Sequence, residues 1–191
     1  MADTMRAALD DGTGQYKVHD IPMPDMFEGA AMVRVRQTGI CGSDLNMTTS
    51  RTEAQTLPSG HEVAGEIVEL LASDHRLSVG DRVAIETVGA GRACLTCRFC
   101  SYGQWRHCLN SGPDLGGGFA QYMTRRPAGH FKLPDSLDWT DGALVEPMAV
   151  SVHALRYRRM QPDDVVGVVG SATIGLSSIA AAGAFGARTV Q

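Results

Sequence analysis

Four of the five cysteines in this 191-residue sequence fall at Cys94, Cys97, Cys100 and Cys108. The spacing C-x2-C-x2-C-x7-C lets one short lobe wrap four thiolates around a tetrahedral zinc. Its two short steps deliver three soft ligands from tight turns, so a closed, structural metal is expected there. An iron–sulfur cluster is the alternative occupant, because four thiolates suit it too. Disulfide pairing is the other reading of clustered cysteines, and it belongs to secreted chains. Met1 to Arg6 lacks the basic and apolar regions of a signal peptide, which favours metal ligation and a cytoplasmic setting.

The fifth cysteine stands apart, in Gly39-Ile40-Cys41-Gly42-Ser43-Asp44, with Gly60-His61-Glu62 downstream. A lone cysteine and a lone histidine read, by themselves, as a small core residue and a packed ring. With a carboxylate they form the other kind of zinc site, three protein ligands and one open position. Two carboxylates are available: Glu62, adjacent to His61, and Glu146 in Leu144-Val145-Glu146-Pro147. The pattern leaves the choice between them open.

These residues need elements to hold them. Ala31 to Arg36 alternates, with Val33 and Val35 on one face and Arg34 and Arg36 on the other, as a half-buried strand does. Asp81 to Glu86 alternates likewise after Val79-Gly80-Asp81, and Phe119 to Met123 is a third strand candidate after Gly116-Gly117-Gly118. The first 135 residues thus read as β-rich with irregular connections. The pattern turns helical near Leu137, with a helix start at Asp138-Trp139-Thr140-Asp141, an interruption at Pro147 and a second helix over about 148–158. An apolar strand at Val165–Val169, a glycine turn, a helix from Ile174 and a strand opening at Thr189-Val190 follow.

Composition excludes some functions. The formal net charge is -4 and no basic block occurs, so a nucleic-acid face is not expected. Val165 to Ala187 is uncharged and long enough to span a bilayer. It holds five glycines and changes from β-branched to Ala-rich midway, so a buried strand, turn and helix explain it better than a membrane span.

Several segments together carry a family resemblance. Thr38-Gly39-Ile40-Cys41-Gly42-Ser43-Asp44-Leu45, Gly60-His61-Glu62-Val63-Ala64-Gly65, Val79-Gly80-Asp81-Arg82-Val83, the four-cysteine lobe and Val145-Glu146-Pro147-Met148-Ala149-Val150 occur in this order. In this the sequence resembles the zinc-dependent medium-chain alcohol dehydrogenases, closest to the polyol branch of sorbitol and idonate dehydrogenases. The resemblance implies a mainly β fold with an α/β remainder. A GroES-like β-barrel would occupy residues 1–155, with the zinc lobe near 90–110, and the incomplete first β-α unit of a Rossmann domain residues 156–191. It places Cys41, His61 and Glu146 at catalytic-zinc positions and makes Glu62 a ligand or a near neighbour of the metal. Ser43 matches the hydroxyl that passes the alcohol proton onward, and Asp44 a residue that orients the zinc histidine. Asn46 departs from the branch, which usually has histidine there, and an amide cannot relay protons by titrating.

The implied reaction is hydride transfer between a small alcohol, polyol or carbonyl substrate and NAD or NADP, with one catalytic and one structural zinc. Gly170-Ser171-Ala172-Thr173-Ile174-Gly175 sits where the dinucleotide fingerprint belongs, with Ala172 in place of its middle glycine. Gly170, Ala172, Ile174 and Gly175 are therefore the expected cofactor contacts. The acidic residue that selects the ribose would lie at or past Gln191, so these residues are not expected to complete a nicotinamide site. Two other readings remain: a redox-independent zinc Lewis-acid enzyme (a hydratase, lyase or isomerase), and a non-catalytic zinc-binding remnant. Self-association through the apolar 165–169 segment is expected, because unpaired β-branched edges template pairing.

Overall fold

The computed structural model describes residues 3–50, 52–71 and 76–190. By their contacts the residues fall into two compact units, Met1–Ala143 and Leu144–Gln191. The first opens with the antiparallel pair β1 (Thr4–Asp10) and β2 (Tyr16–Pro22). β3 (Ala31–Gly39), helix α1 (Gly42–Ser50), β4 (Glu62–Leu70) and β5 (Arg82–Ile85) follow. The short helix α2 (Arg98–Ser101) lies in the cysteine lobe, and β6 (Tyr122–Arg125) and β7 (His130–Lys132) come after it. β3 to β7 form one antiparallel sheet in the order β6-β3-β4-β5-β7. β1 joins it through Phe119 to Gln121: the Ala8 N–H donates to the Phe119 carbonyl at 2.8 Å and the Gln121 N–H to the Arg6 carbonyl at 3.1 Å. This is the mainly β, GroES-like architecture that the motifs imply.

Ala31, Val33, Val63, Ile67, Leu77, Val83, Ile85 and Met123 form the core. Val33 is fully buried, while Val35 only packs against the cluster, because the β3–β4 register shifts between Val35 and Gln37. The arginines of the alternation face outward: Arg34 lies over the Tyr122 ring and Arg36 pairs with Glu66 at 2.7 Å. Two expectations need correction. The alternation of 81–86 fails, since Val83, Ala84 and Ile85 are all buried. One cause is helix α3 (Trp139–Ala143), which packs on β3, β4 and β5. Phe119 to Met123 is likewise not one strand: Ala120 makes a single bridge to Ala7, and β6 begins at Tyr122.

α3 starts as the sequence predicts. The Asp141 N–H donates to the Asp138 carboxylate at 2.9 Å and the Asp138 N–H to the Asp141 carboxylate at 3.0 Å, a reciprocal cap.

The second unit holds α4 (Val145–Tyr157), β8 (Val165–Val166), α5 (Thr173–Ala184) and β9 (Thr189–Val190). β8 and β9 pair in parallel across the α5 connection, a β-α-β unit. Pro147 does not interrupt a helix. It lies in the first turn of α4, where its missing N–H has no helical partner to lose. The Ser151 hydroxyl, buried between α4 and α5, donates to the Ile174 carbonyl at 3.2 Å and accepts from Ser178 at 3.1 Å. β8 is shorter than the expected 165–169 strand, and Val169 is fully exposed. Among the described residues no helix is long and apolar enough to cross a membrane.

Candidate metal centres

The lobe forms through two tight steps. Leu95 takes a left-handed conformation, φ 62°, which turns the chain between Cys94 and Cys97; α2 then carries Cys100, and a single 3-10 turn, Trp105–His107, delivers Cys108. The four sulfurs lie within 4.8 Å of one another. Cys97 and Cys100 are 3.5 Å apart, Cys94 and Cys100 4.0 Å. A disulfide would need about 2 Å, and all five cysteines are free. Thiolates about 2.3 Å from a tetrahedral zinc stand about 3.8 Å apart, so the set has the edge length of such a site.

The lobe also prepares its sulfurs electrostatically. The Thr96 hydroxyl, at 3.4 Å, and the N–H groups of Thr96 and Cys97 bring the Cys94 thiol down to about 5. The Leu109 and Cys100 N–H groups lower Cys97. Burial, and next its neighbour Cys97, push Cys100 up to about 12. Crowding thiolates is costly unless a cation sits among them, and a divalent metal reverses that penalty. The donor set therefore fits zinc.

Both stems of the lobe are sewn to the barrel. The Gly112 N–H donates to the Arg92 carbonyl at 2.7 Å, and the Arg92 guanidinium returns bonds to the Gly112 carbonyl and to Asp114. Arg125 is buried and donates to the carbonyls of Thr87, Thr124 and Gly116. Burial pushes its pKa down to about 10. The Glu86 carboxylate accepts the N–H groups of Val88, Gly89 and Gly91. None of these supports is legible as a motif, since, apart from the Arg92–Asp114 pair, each is a single residue bonding to backbone.

The second set forms where β3 ends and β4 begins. Gly39 pairs with Glu62 across the antiparallel ladder, so Cys41, two residues past β3, returns beside His61 and Glu62. One donor atom from each of Cys41, His61 and Glu62 lies within 4.8 Å of the others. Asp44 is buried in the first turn of α1. One carboxylate oxygen accepts the Cys41 N–H at 2.9 Å. The other lies 3.8 Å from His61 Nδ1 and has no hydrogen-bond partner among the described residues. A carboxylate behind the ring leaves Nε2 for a metal, the usual arrangement of a ligating histidine. The sulfur, imidazole and carboxylate donors fit zinc as well.

The sequence reading missed what holds His61. Gly116-Gly117-Gly118 does more than lead into a strand: the N–H groups of Gly117, Gly118 and Phe119 donate to the carbonyls of Pro58, Gly60 and Ser59 at 2.6–2.8 Å. A Cβ on Gly60, φ 96°, would meet the Phe119 ring at 2.6 Å. The three consecutive glycines were the available signal. Ser43 is exposed in the first turn of α1. Glu146, in the first turn of α4, belongs to the second unit, as do Gly170, Ala172, Ile174 and Gly175.

In that unit Gly170 has φ 105°, which only glycine adopts freely, and a Cβ on Gly175 would fall on the Gly170 carbonyl. Ala172 is the N-cap of α5 at φ −78°, a conformation alanine takes without strain, and its side chain caps nothing.

Residues 28–135 match the family described as "Alcohol dehydrogenase GroES-like domain". The chain is 35% identical over 195 residues to sorbitol dehydrogenase of Bacillus subtilis, covering 97% of this chain and 54% of the relative. It is 34% identical to L-idonate 5-dehydrogenase of Vitis vinifera, covering 94% and 50%. The crystal structure of galactitol-1-phosphate dehydrogenase from Escherichia coli superposes with a TM-score of 0.83 at 30% identity, over 97% of this chain and 54% of that one. The chain spans about half the length of the curated relatives it matches. The match over residues 28–135, with relatives 34–35% identical along nearly the whole chain, settles the family: the chain belongs to the zinc-dependent medium-chain alcohol dehydrogenases, on their polyol branch.

Proposed function

We propose that this chain carries the zinc sites of an alcohol or polyol dehydrogenase that interconverts a small polyhydroxy alcohol and its ketone with NAD or NADP. The observation that carries the reading is the convergence of Cys41, His61 and Glu62, with Asp44 buried behind two of them. Zinc in such a set supplies a Lewis acid for an alcohol or carbonyl oxygen. Cys41 and His61 would hold it, with Glu62 or Glu146 as the acidic partner. Asp44 fixes the Cys41 backbone and orients the His61 ring. Ser43, exposed beside Cys41, would pass the substrate's proton to water, and Asn46 cannot take it further by titrating. Cys94, Cys97, Cys100 and Cys108 would hold the second, structural zinc.

The dinucleotide belongs to residues 156–191 in this reading, as the first β-α unit of a nucleotide-binding domain that follows a catalytic domain of residues 1–155. The α5 N-terminus lacks a side-chain cap, so its N–H groups are open to phosphate. Gly170 and Gly175 shape the turn in front of it, with Ala172 and Ile174 lining it. Self-association through the exposed 165–169 segment and a cytoplasmic setting complete the proposal. A redox-independent Lewis-acid reaction is the second reading, favoured by a Cys–His–Glu set complete within the first unit.

Elemental analysis of the purified chain tests the metal claim: two zinc ions are expected, and one should be lost in Cys41→Ser. One zinc or fewer, unchanged by that substitution, would end it. Nicotinamide absorbance with a polyol panel, measured on the chain joined to a complete nucleotide-binding domain, separates the two reactions. Polyol-dependent reduction of NAD or NADP supports the dehydrogenase. Turnover of a polyol with no nicotinamide change supports the other.

A further inference from the structure

Gly39 closes β3 and faces Glu62, the first residue of β4, directly across the ladder. Opposed residues usually hold their Cβ atoms about 4.5–5.5 Å apart. A Cβ on Gly39 would stand 3.1 Å from the Glu62 Cβ and 3.2 Å from its carboxyl carbon, and would fall on the carboxylate Oε2. The Glu62 side chain thus lies over the glycine, in the space a side chain would fill. Backbone conformation does not explain the glycine, because Gly39 is not among those with positive φ. Space does. Folded over Gly39, the Glu62 carboxylate is buried and reaches the donor atoms of Cys41 and His61.

We propose that Gly39 is a positioning residue: its vacant side-chain space holds the Glu62 carboxylate against Cys41 and His61, and so makes Glu62 the acidic partner of that pair. Any side chain at 39 turns Glu62 away while leaving Cys41, His61 and Asp44 in place. The inference rests on the reading above that this set binds zinc.

The test is cobalt(II) titration of the metal-stripped full chain. The mixed set is read as the difference in visible and thiolate charge-transfer absorption between the wild type and Cys41→Ser. Gly39→Ala is expected to weaken cobalt binding there about 10- to 100-fold, the usual effect of disturbing a ligand's support, and to alter the visible band. The lobe's cobalt should be unchanged. Glu62→Ala should weaken binding similarly, and Gly39→Ala/Glu62→Ala no further, since both act through one carboxylate. Gly39→Ala/Glu62→Asp, with its shorter arm, should recover part of the loss. A general structural role for Gly39 would give neither the non-additivity nor the rescue. Wild-type affinity and spectrum in Gly39→Ala, or losses that add, would overturn the inference alone. A wild type that takes no more cobalt than Cys41→Ser would overturn it together with the zinc reading. Should Gly39→Ala fail to fold, recovery of folding in Gly39→Ala/Glu62→Ala supports the inference, and continued failure overturns it.

Discussion

Asp44 serves two groups of one site with two oxygens, one on the Cys41 N–H and one facing the His61 ring. Asp44→Ala would leave a backbone donor unpaired and the ring unsupported. Stability should fall by about 1–3 kcal/mol, the cost of one orphaned buried group, read as a shift in the urea midpoint. Metal affinity at the Cys41 set should fall about 10- to 100-fold, read by competition with a chelating dye. Asp44→Asn keeps the acceptor for Cys41, so it should spare stability and lose metal affinity. At this scale the sequence was most informative. Cysteines, a histidine and carboxylates are chemically distinctive, and their flanks carried the family. Glycines are not distinctive, so what Gly39, Gly60 and Gly116 to Gly118 do by leaving space emerged only from coordinates.

The lobe is the element whose stability is tied to metal. Cys97→Ser should release one zinc and abolish the lobe's amide protection in hydrogen exchange, because structural zinc supplies folding free energy directly. The barrel amides should stay protected. Acid should do the same reversibly. Protons compete with the metal for all four sulfurs, so falling pH favours the empty lobe. The hydrogen bonds that lower Cys94 to about 5 keep its sulfur available to the metal longer than that of Cys100, which burial raises. Trp105, in the lobe's 3-10 turn, reports this by fluorescence; a lobe that kept its zinc at pH 4 would contradict it. Arg125 ties the stems. Arg125→Lys keeps the charge but loses the planar fork that reaches three carbonyls, and should cost more than about 1 kcal/mol in urea denaturation. Strand boundaries were harder to read than the lobe. β4 carries His61's neighbour Glu62 but begins with Glu62-Val63-Ala64-Gly65 all buried. Cover from α3, as well as from the core, removes the alternation that marks a strand.

At the scale of the molecule, the two units present different surfaces. Val165, Val169, Ile174, Leu176 and Ile179 are all exposed in the second. Exposed apolar side chains next to an unpaired strand end favour association, so light scattering should show these 191 residues self-associating, and Val169→Lys should reduce it. A monodisperse monomer at every concentration tested would refute this. Isothermal titration with NAD and NADP should give no saturable binding at micromolar concentrations, because the glycine turn and one helix N-terminus offer phosphate contacts but no acidic residue follows Gly175 to hold the ribose. The β-α-β unit itself was legible, since a β-branched run, a glycine turn and an Ala-rich helix keep their order in the structure. The length of β8 was not, because pairing with β9 spans only Val165 and Val166.

The hydrogen bond between the Gly112 N–H and the Arg92 carbonyl means that the chain enters and leaves the cysteine lobe through a single gate. Beyond that gate Trp105 still lies beside Gly89, but the lobe's helix packs chiefly on its own 3-10 turn. Glu86, Arg92, Arg125 and the triple-glycine strap all fasten on the gate's near side. Topologically, residues 93–111 are a removable cassette, which a lineage could gain, lose or replace by a hairpin turn without redrawing the sheet. A chain in which two turn-forming residues join Arg92 to Gly112 should still fold and still bind metal at Cys41 and His61. It would have exchanged a metal requirement for a short loop.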